Sequence, residues 1–558
     1  MPDRVVLVTI DTLRADHVGA YGAPGAPTPV LDTLAAEGVR FDVAISPAPL
    51  TLPSHTSLMT ALDPPEHGVR HNSIYRLDEA IPTLAEAMGR EGYATAAFVG
   101  ALVLDRRFGL DRGFDVYDDH MERRSSRLSG YAERPADRVV DAALDWLGTA
   151  PERFFLWVHL YDPHVEHQPP PGFAAAFAHR PYLGEIAFAD HQTGRLLGAV
   201  RERFGDAGLL VAVTSDHGES LGEHGERTHS YTVYDATQRV PLILSGAGVP
   251  PGRVVTTPVR LIDLAPTLLA AVGAPPLDGG RGRDLTPLVV AGDDGDAPAE
   301  PAYVETLATQ LDYGWSPLVG LRSSEWKYIR APRPELYDVR ADPDETRDLA
   351  AGHPQVVARM DALLEERLAA DGGSAGHVTL DAVDRARLES LGYVVPDAAP
   401  RVGRLDRATG PDPKDALPLL SRVATARKLA VAERYDEALA SLADIEDPPA
   451  HLRVIRASMA FNAGRHAAAV ADARRAIADE PRRLDVHVIL GRALEARGDL
   501  PGALAAFDDA LAIDPRSLEA WRGVGRVAEA SGDAARASAA RQRIEALAAE
   551  EGDTATAP

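Results

Sequence analysis

The segment Ser46-Pro-Ala-Pro-Leu-Thr51-Leu-Pro53-Ser54-His55-Thr-Ser-Leu-Met-Thr60 gathers hydroxyl side chains beside a proline suited to the first turn of a helix. Leu58 and Met59 continue an apolar face, which places the hydroxyls of Thr51 and Ser54 at the helix N-terminus. Free backbone N–H groups and the positive end of the helix dipole bind a phosphate or sulfate there without a charged side chain. An ordinary capped helix has the same local pattern, because serine and threonine are common N-caps. Three other segments tip the reading toward chemistry. Asp11 follows the apolar run Arg4–Ile10, and His164 lies in Tyr161-Asp162-Pro163-His164-Val-Glu166-His167 after Phe154–Leu160. Asp216-His217-Gly218-Glu219 follows residues 209–215, with His229 shortly beyond. An adjacent Asp and His suit a divalent cation such as Zn²⁺, Mn²⁺, Mg²⁺ or Ca²⁺, and nearby glycines let the backbone turn closely around it.

The elements that must carry these residues alternate. Residues 4–10, 41–45, 94–100, 154–160, 209–215 and 239–244 read as strands, several of them continuous apolar runs of the kind a buried parallel sheet needs. Residues 28–38, 81–89, 136–147 and 183–204 read as helices between them. The alternation predicts an α/β fold with a doubly wound, mostly parallel sheet. Open sheets of that kind bind ligands beyond the carboxyl ends of their strands, where Asp11, His164 and Asp216-His217 fall.

With 558 residues, 45% of them hydrophobic, the chain has material for about three domains. A net charge of -25 argues against a nucleic-acid surface. The absence of cysteine excludes disulfides and thiolate metal sites. No apolar run approaches the ~20 residues of a membrane span. Met1 leads almost at once into a strand without a signal-peptide pattern, so the expected location is cytoplasmic, or periplasmic or secreted if the N-terminus is truncated.

Taken together, Asp11, Thr51, His164, Asp216, His217 and His229 resemble the site pattern of the sulfatase family of the alkaline phosphatase superfamily. The resemblance runs over roughly residues 4–370 and includes Val319-Gly-Leu-Arg322-Ser-Ser-Glu-Trp326-Lys327-Tyr-Ile-Arg330 and Glu335-Leu-Tyr337-Asp338, implying a small C-terminal α+β subdomain. It implies that Asp11, Asp216 and His217 ligate one divalent cation, Ca, Mn, Zn or Mg, with Thr51 completing the sphere. Arg14 and Asn72 resemble pocket-lining, substrate-binding residues, and Ser54 joins them as a further hydroxyl. His164 resembles the family histidine that contacts the ester oxygens or leaving group, and His229 stands where many members carry a lysine.

One departure governs the chemistry. Sulfatases use a C-x-P-x-R signature whose Cys or Ser is oxidised to formylglycine, whereas this chain reads Thr51-Leu-Pro53-Ser54-His55. The β-methyl group of threonine rules out that aldehyde, so no formylglycine is expected. An aldehyde hydrate releases sulfate by breaking its own C–O bond, whereas a phosphothreonine is hydrolysed at phosphorus. The nucleotide pyrophosphatases and phosphoethanolamine transferases of the same superfamily, which the chain also resembles, use threonine. Thr12 replaces the second carboxylate that many sulfatases carry, as in the phosphonate monoester hydrolase branch. The expected function is therefore a metal-dependent hydrolase of small phosphate mono- or diesters or phosphonates, with a covalent Thr51 intermediate and transfer to another acceptor as a variant. The expected roles are activation of Thr51 by the cation, N–H donation by the helix start after Pro53, and protonation of the departing oxygen by His164 or His229. Asp162, His164 and His229 are candidates for a second cation. The alternatives are a sulfuric ester hydrolase using unmodified Thr51, and a catalytically dead sulfatase-like platform acting through its C-terminal repeats.

Those repeats are explicit. Gly464, Gly498 and Gly532 are 34 residues apart, as are Pro481 and Pro515, which is the tetratricopeptide period. The expected organisation is a catalytic α/β domain at 1–300, its subdomain at 301–371, a linker at 372–413 and an all-α tetratricopeptide solenoid at 414–550. Such arrays hold a protein or peptide partner.

Overall fold

The computed structural model describes residues 1–121, 134–291, 300–369, 410–445 and 448–554, with 373, 375–378, 380 and 388 between them. The expected linker at 372–413 lies largely outside the described residues. Of the described residues, one compact unit holds Met1–Leu311, those from Trp315 to Tyr393 and those from Arg401 to Asp415. A second holds Asp312–Gly314 and the chain from Ala416.

In the first unit the strands are β1 (Arg4–Ile10), β2 (Gly38–Ile45), β3 (Tyr75–Arg76), β4 (Ala94–Val99), β5 (Val116–Asp118), β6 (Phe154–Leu160), β7 (Leu209–Thr214), β8 (Arg239–Gly246), β9 (Arg253–Val255) and β10 (Val259–Arg260). All but β3 form a nine-stranded sheet ordered β10-β2-β8-β7-β1-β6-β4-β5, with β9 also paired to β2. Only β8 runs antiparallel to its neighbours, β2 and β7. β1, β6 and β7 are buried along their whole length, which explains why each reads as an almost unbroken apolar run.

The helices that place the site are α1 (Pro29–Ala36), α2 (Thr51–Thr60), α3 (Pro64–His67), α4 (Leu84–Arg90), α5 (Ala136–Leu147), α6 (Pro171–Ala176) and α7 (Pro181–Phe204). On α5, Val139, Val140, Ala143 and Leu147 recur at helical spacing and pack with Ile186, Leu196, Leu197 and Val200 of α7 and with Val8, Leu156 and Val211 of the sheet. Helix α2 departs from the expected apolar face, because all ten of its residues are buried. Its hydroxyls are accommodated internally: Thr56 donates to Leu52 O at 2.7 Å, Thr60 to Thr56 O at 2.7 Å, and Ser57 meets His67 Nε2 at 2.8 Å.

The subdomain is a four-stranded antiparallel sheet of β11 (Ala302–Thr306), β12 (Leu318–Arg322), β13 (Trp326–Arg330) and β14 (Glu335–Asp338), with the helix Pro354–Leu368 against it. Lys327 of β13 is fully buried, its Nζ 2.8 Å from Asp235 Oδ1 and 2.9 Å from Glu345 Oε1. Removing either carboxylate would leave a buried ammonium short of a partner.

The second unit contains the consecutive helices Ala450–Asn462, His466–Asp479, Leu484–Ala496, Leu500–Ile513, Leu518–Ser531 and Ala534–Thr554. Gly464, Gly498 and Gly532 sit between paired helices at φ 72°, 80° and 77°, a left-handed turn that favours glycine and accounts for its recurrence. Among the described residues, no helix is long and apolar enough to cross a membrane.

Candidate active site

Strands β1 and β7 are neighbours in register from Arg4↔Leu209 to Thr9↔Thr214, so the residues that leave their carboxyl ends emerge side by side. Asp11, Asp216 and His217 are fully buried, and each offers a ligand atom within 4.8 Å of the others. His217 Nε2 is 3.7 Å from Asp11 Oδ1 and 3.6 Å from Asp216 Oδ2. Thr51, at the start of α2, brings its Oγ1 to 3.5 Å from Asp11 Oδ2 and 3.4 Å from His217 Nε2. Thr12, at φ 53°, turns the chain sharply after Asp11 and donates its N–H to Asp216 Oδ1 at 3.4 Å and its hydroxyl to Pro163 O at 3.0 Å.

The charge balance of this cluster fits a cation. Asp11 Oδ1 and Asp216 Oδ2 are buried without a hydrogen-bond partner among the described residues. Burial, and then the charge of Asp216, push the Asp11 carboxyl well above its ordinary range. Burial would raise Asp216 too, but His217, His55 and His159 hold it down at about 2. Two buried carboxylates this close do not both ionise easily unless a positive charge neutralises them. His217 Nδ1–H faces Gly218 O at 3.0 Å, which turns the Nε2 lone pair toward the carboxylates. Two carboxylates, an imidazole and a hydroxyl form a donor set for a divalent ion.

Around this cluster the other expected site residues divide. Asn72 Oδ1 accepts the Leu52 N–H at 2.8 Å, and its Nδ2 is buried without a partner among the described residues. His164 Nδ1–H donates to Val165 O at 2.6 Å, leaving a buried Nε2 with no partner among those residues. The ring centroids of His164 and His217 lie 4.8 and 4.6 Å from that of His229, so the three imidazoles form a row. Burial, then neighbouring imidazoles, lower His164 and His229 well below the ordinary histidine value.

Four expectations change. Ser54 donates to Asp216 O at 2.6 Å and lies 2.9 Å from Ser46 Oγ, so its hydroxyl braces the β7 exit and is committed to protein groups. Arg14 is bound to Asp16 at 2.7 Å and Glu223 at 2.7 Å, with Nη1 also donating to Glu219 O, so carboxylates already occupy its guanidinium. Asp162 Oδ2 accepts the Ala136 N–H at 2.8 Å at the start of α5, and Asp162 joins no three-ligand group with His164 and His229 among the described residues. The start of α2 is also poorer in donors than expected: the Leu52 N–H goes to Asn72, Pro53 has none, and the Ser54 N–H bonds Leu50 O at 3.1 Å. Thr51 N–H is at most what remains.

The structure adds residues that the sequence did not single out. Glu219 is fully buried, 3.3 Å from His229 Nδ1 and 3.9 Å from His167 Nε2, and burial pushes its carboxyl up to about 8. Thr9, His55 and His159 form a second buried layer behind Asp11 and Thr51. A signal for two of them existed: Thr9 and His159 are polar interruptions in the apolar runs RVVLVTI and FFLWVHL.

Comparison with known proteins agrees with this fold. Residues 3–274 match the Sulfatase family, and residues 484–527 match the Tetratricopeptide repeat family. Over 189 residues the chain is 31% identical to Arylsulfatase K of Danio rerio, covering 33% of this chain and 36% of that protein. Over 462 residues it is 24% identical to the Delta 4,5-hexuronate-2-O-sulfatase of Bacteroides thetaiotaomicron, covering 70% and 93%. The crystal structure of the phosphonate monoester hydrolase of Agrobacterium radiobacter shares the fold, with a TM-score of 0.58 and 22% identity over 66% of this chain and 96% of that one. Fold and family model point the same way, to a mostly parallel α/β sheet like that of this solved structure carrying the match to the Sulfatase family, and the chain spans about a third of the length of the Arylsulfatase K relatives it matches. More particularly, the match to the Sulfatase family lies in the N-terminal part, and a match to the tetratricopeptide repeat follows it in the same chain.

Proposed function

We propose that the chain hydrolyses phosphate mono- or diesters or phosphonates through a covalent intermediate on Thr51. The observation that carries this reading is the position of Thr51 Oγ1, 3.5 Å from Asp11 and 3.4 Å from His217, on a side chain that cannot become an aldehyde. Asp11, Asp216, His217 and Thr51 are the residues that would hold one divalent cation. When bound, it supplies charge neutralisation and an acidified hydroxyl.

This chain's own residues supply the remainder. Thr51 Oγ gives up its proton and forms a bond to phosphorus while the bond from phosphorus to the leaving oxygen breaks, and that oxygen takes up the proton, relayed by His164. Water then attacks the phosphothreonine at phosphorus and regenerates Thr51. In this reading Asn72 Nδ2 donates to a phosphoryl oxygen, supported by its having no hydrogen-bond partner among the described residues while its carbonyl is engaged with Leu52. His164, whose Nδ1 hydrogen is held by Val165 O, offers Nε2 as the atom that accepts and returns a proton. Tetratricopeptide repeats bind protein segments, so the C-terminal array is read as the site for a protein or peptide partner.

Sulfate esters are the second reading, favoured by the names of the sulfatase relatives. The test is a panel of aryl phosphate mono- and diesters, phosphonates and aryl sulfates with Mn²⁺, Zn²⁺ or Ca²⁺, run on wild type and Thr51→Ala. Phosphoester turnover lost in Thr51→Ala, with phosphothreonine detected at position 51 by mass spectrometry, supports the proposal. Thr51-dependent release of sulfate alone would overturn it.

A further inference from the structure

Behind the Asp11–Thr51 pair lies a closed polar chain. Strands β1 and β6 pair Thr9 with His159 in register. Thr9 Oγ1 is 3.0 Å from His159 Nδ1 and 3.1 Å from His55 Nε2, and it accepts the Trp157 Nε1–H at 3.0 Å. At one end, His55 Nδ1 is 2.8 Å from the carbonyl oxygen of Thr51. At the other, His159 Nε2 is 3.4 Å from Asp11 Oδ2. Thr9, His55, Trp157 and His159 are all fully buried, as are Thr51 and Asp11.

Hydrogen-bond accounting gives this chain a direction. A carbonyl only accepts, so His55 Nδ1 carries the hydrogen and the neutral ring presents a lone pair at Nε2. The Thr9 hydroxyl has one hydrogen, and it goes to that lone pair. Thr9 oxygen is then left to accept, from Trp157 Nε1–H and from His159 Nδ1–H. His159 therefore turns an Nε2 lone pair toward Asp11, and that nitrogen has no hydrogen-bond partner among the described residues. A lone pair facing an ionised carboxylate is repelled unless a positive charge lies beside them, and Asp11 is where Asp216 and His217 converge.

We propose that Thr9 is a positioning residue whose hydroxyl sets the tautomer and orientation of His55 and His159, and through them holds the Thr51 backbone and the Asp11 carboxylate at the candidate metal site. The proposal rests on the reading of Asp11 and Thr51 as metal ligand and nucleophile. A single hydroxyl between two imidazoles acts as a hub, because losing it frees both rings at once.

The experiment compares wild type, Thr9→Val and Thr9→Ser as full-length proteins. Three quantities are read: Mn²⁺ affinity by calorimetry, histidine tautomers by nitrogen-15 NMR, and kcat on an aryl phosphate at saturating Mn²⁺. The tautomer signals are assigned with His55→Gln and His159→Gln. The expected result is Nδ1–H at both His55 and His159 in wild type, Mn²⁺ binding roughly 10- to 100-fold weaker in Thr9→Val with a matching loss of kcat, and recovery to within about threefold in Thr9→Ser. Wild-type Mn²⁺ affinity in Thr9→Val, or an Nε2–H tautomer at His159 in wild type, overturns the proposal. If Thr9→Val does not fold, the wild-type tautomers decide. Mn²⁺ binding without turnover of any phosphoester would refute the hydrolase reading while leaving the role of Thr9 decided by affinity and tautomer.

Discussion

Asn72 accepts the backbone N–H of Leu52 at 2.8 Å, which ties the loop after α3 to the first turn of the helix that presents Thr51. The same side chain leaves a buried Nδ2 without a hydrogen-bond partner among the described residues, and this is the atom proposed to meet substrate. Asn72→Asp retains the acceptor and loses the donor, so it should lower kcat/KM on the preferred ester by about 100-fold or more, as loss of an oxyanion donor does. Asn72→Ala should show that loss and also cost about 1 kcal/mol of stability from the missing cap. Steady-state kinetics and denaturant unfolding read the two effects separately. Equal kinetics in Asn72→Asp and wild type would remove Asn72 from substrate binding.

Asp216 should govern metal retention. Anything that binds only the folded state stabilises it, by about 2.7 kcal/mol at a hundredfold excess over Kd. Thermal scans of wild type should therefore rise with added Mn²⁺ or Zn²⁺ and fall with a chelator. The same additions should leave Asp216→Ala unmoved, and metal analysis should find that variant depleted.

Glu226 supplies a pH test. It is buried, accepts from Tyr231 N–H at 2.9 Å and from the Thr232 hydroxyl, and burial pushes its carboxyl up to about 8. The folded state thus binds this proton more tightly than the unfolded state. Its stabilising contribution is complete below the ordinary glutamate pKa, near 4.3, and is lost as pH rises through about 8. From this group wild type should lose Tm between about pH 4.3 and about pH 8, and Glu226→Gln should lose less over the same interval. An equal or steeper fall in Glu226→Gln would show that the carboxyl is ionised throughout.

In the repeat unit, the fully buried Phe507 ring lies against two glycines. A Cβ at Gly491 would stand 2.6 Å from Phe507 Cε1, and one at Gly523 would stand 2.4 Å from the same atom. Gly523→Val should therefore overpack this site and destabilise the helical array by about 1–3 kcal/mol. Hydrogen exchange on the full chain should show faster exchange in Leu500–Ile513 and Leu518–Ser531, with β1 and β7 of the other unit unchanged. Unaltered protection in those two helices would mean that the ring can move aside.

Much of the molecule was legible from residue order because it is written in periodicities. Arg4–Ile10, Phe154–Leu160 and Leu209–Thr214 read as buried strands because strands covered on both faces have no polar alternation to show. The 34-residue spacing of Gly464, Gly498 and Gly532 exposed the repeat because each must enter a left-handed turn. Asp11, Asp216 and His217 were visible as a group because ligands of an open sheet collect where strands end. Arg14 and Ser54 were harder, since each carries the right chemical group and only its partners, Asp16 and Glu223 for one and Asp216 O for the other, show that the group is already engaged.

The amino-acid order by itself determined the α/β class and the helical repeat, since each follows from local composition and spacing, and it set a threonine at residue 51 and no cysteine anywhere. Only the tertiary structure decided which polar atoms are left over. Partners such as Thr9 and His55, or Asn72 and Leu52, lie tens of residues apart in the chain and meet only through strand register and helix packing. The requirement that every buried donor and acceptor be satisfied is imposed after that meeting.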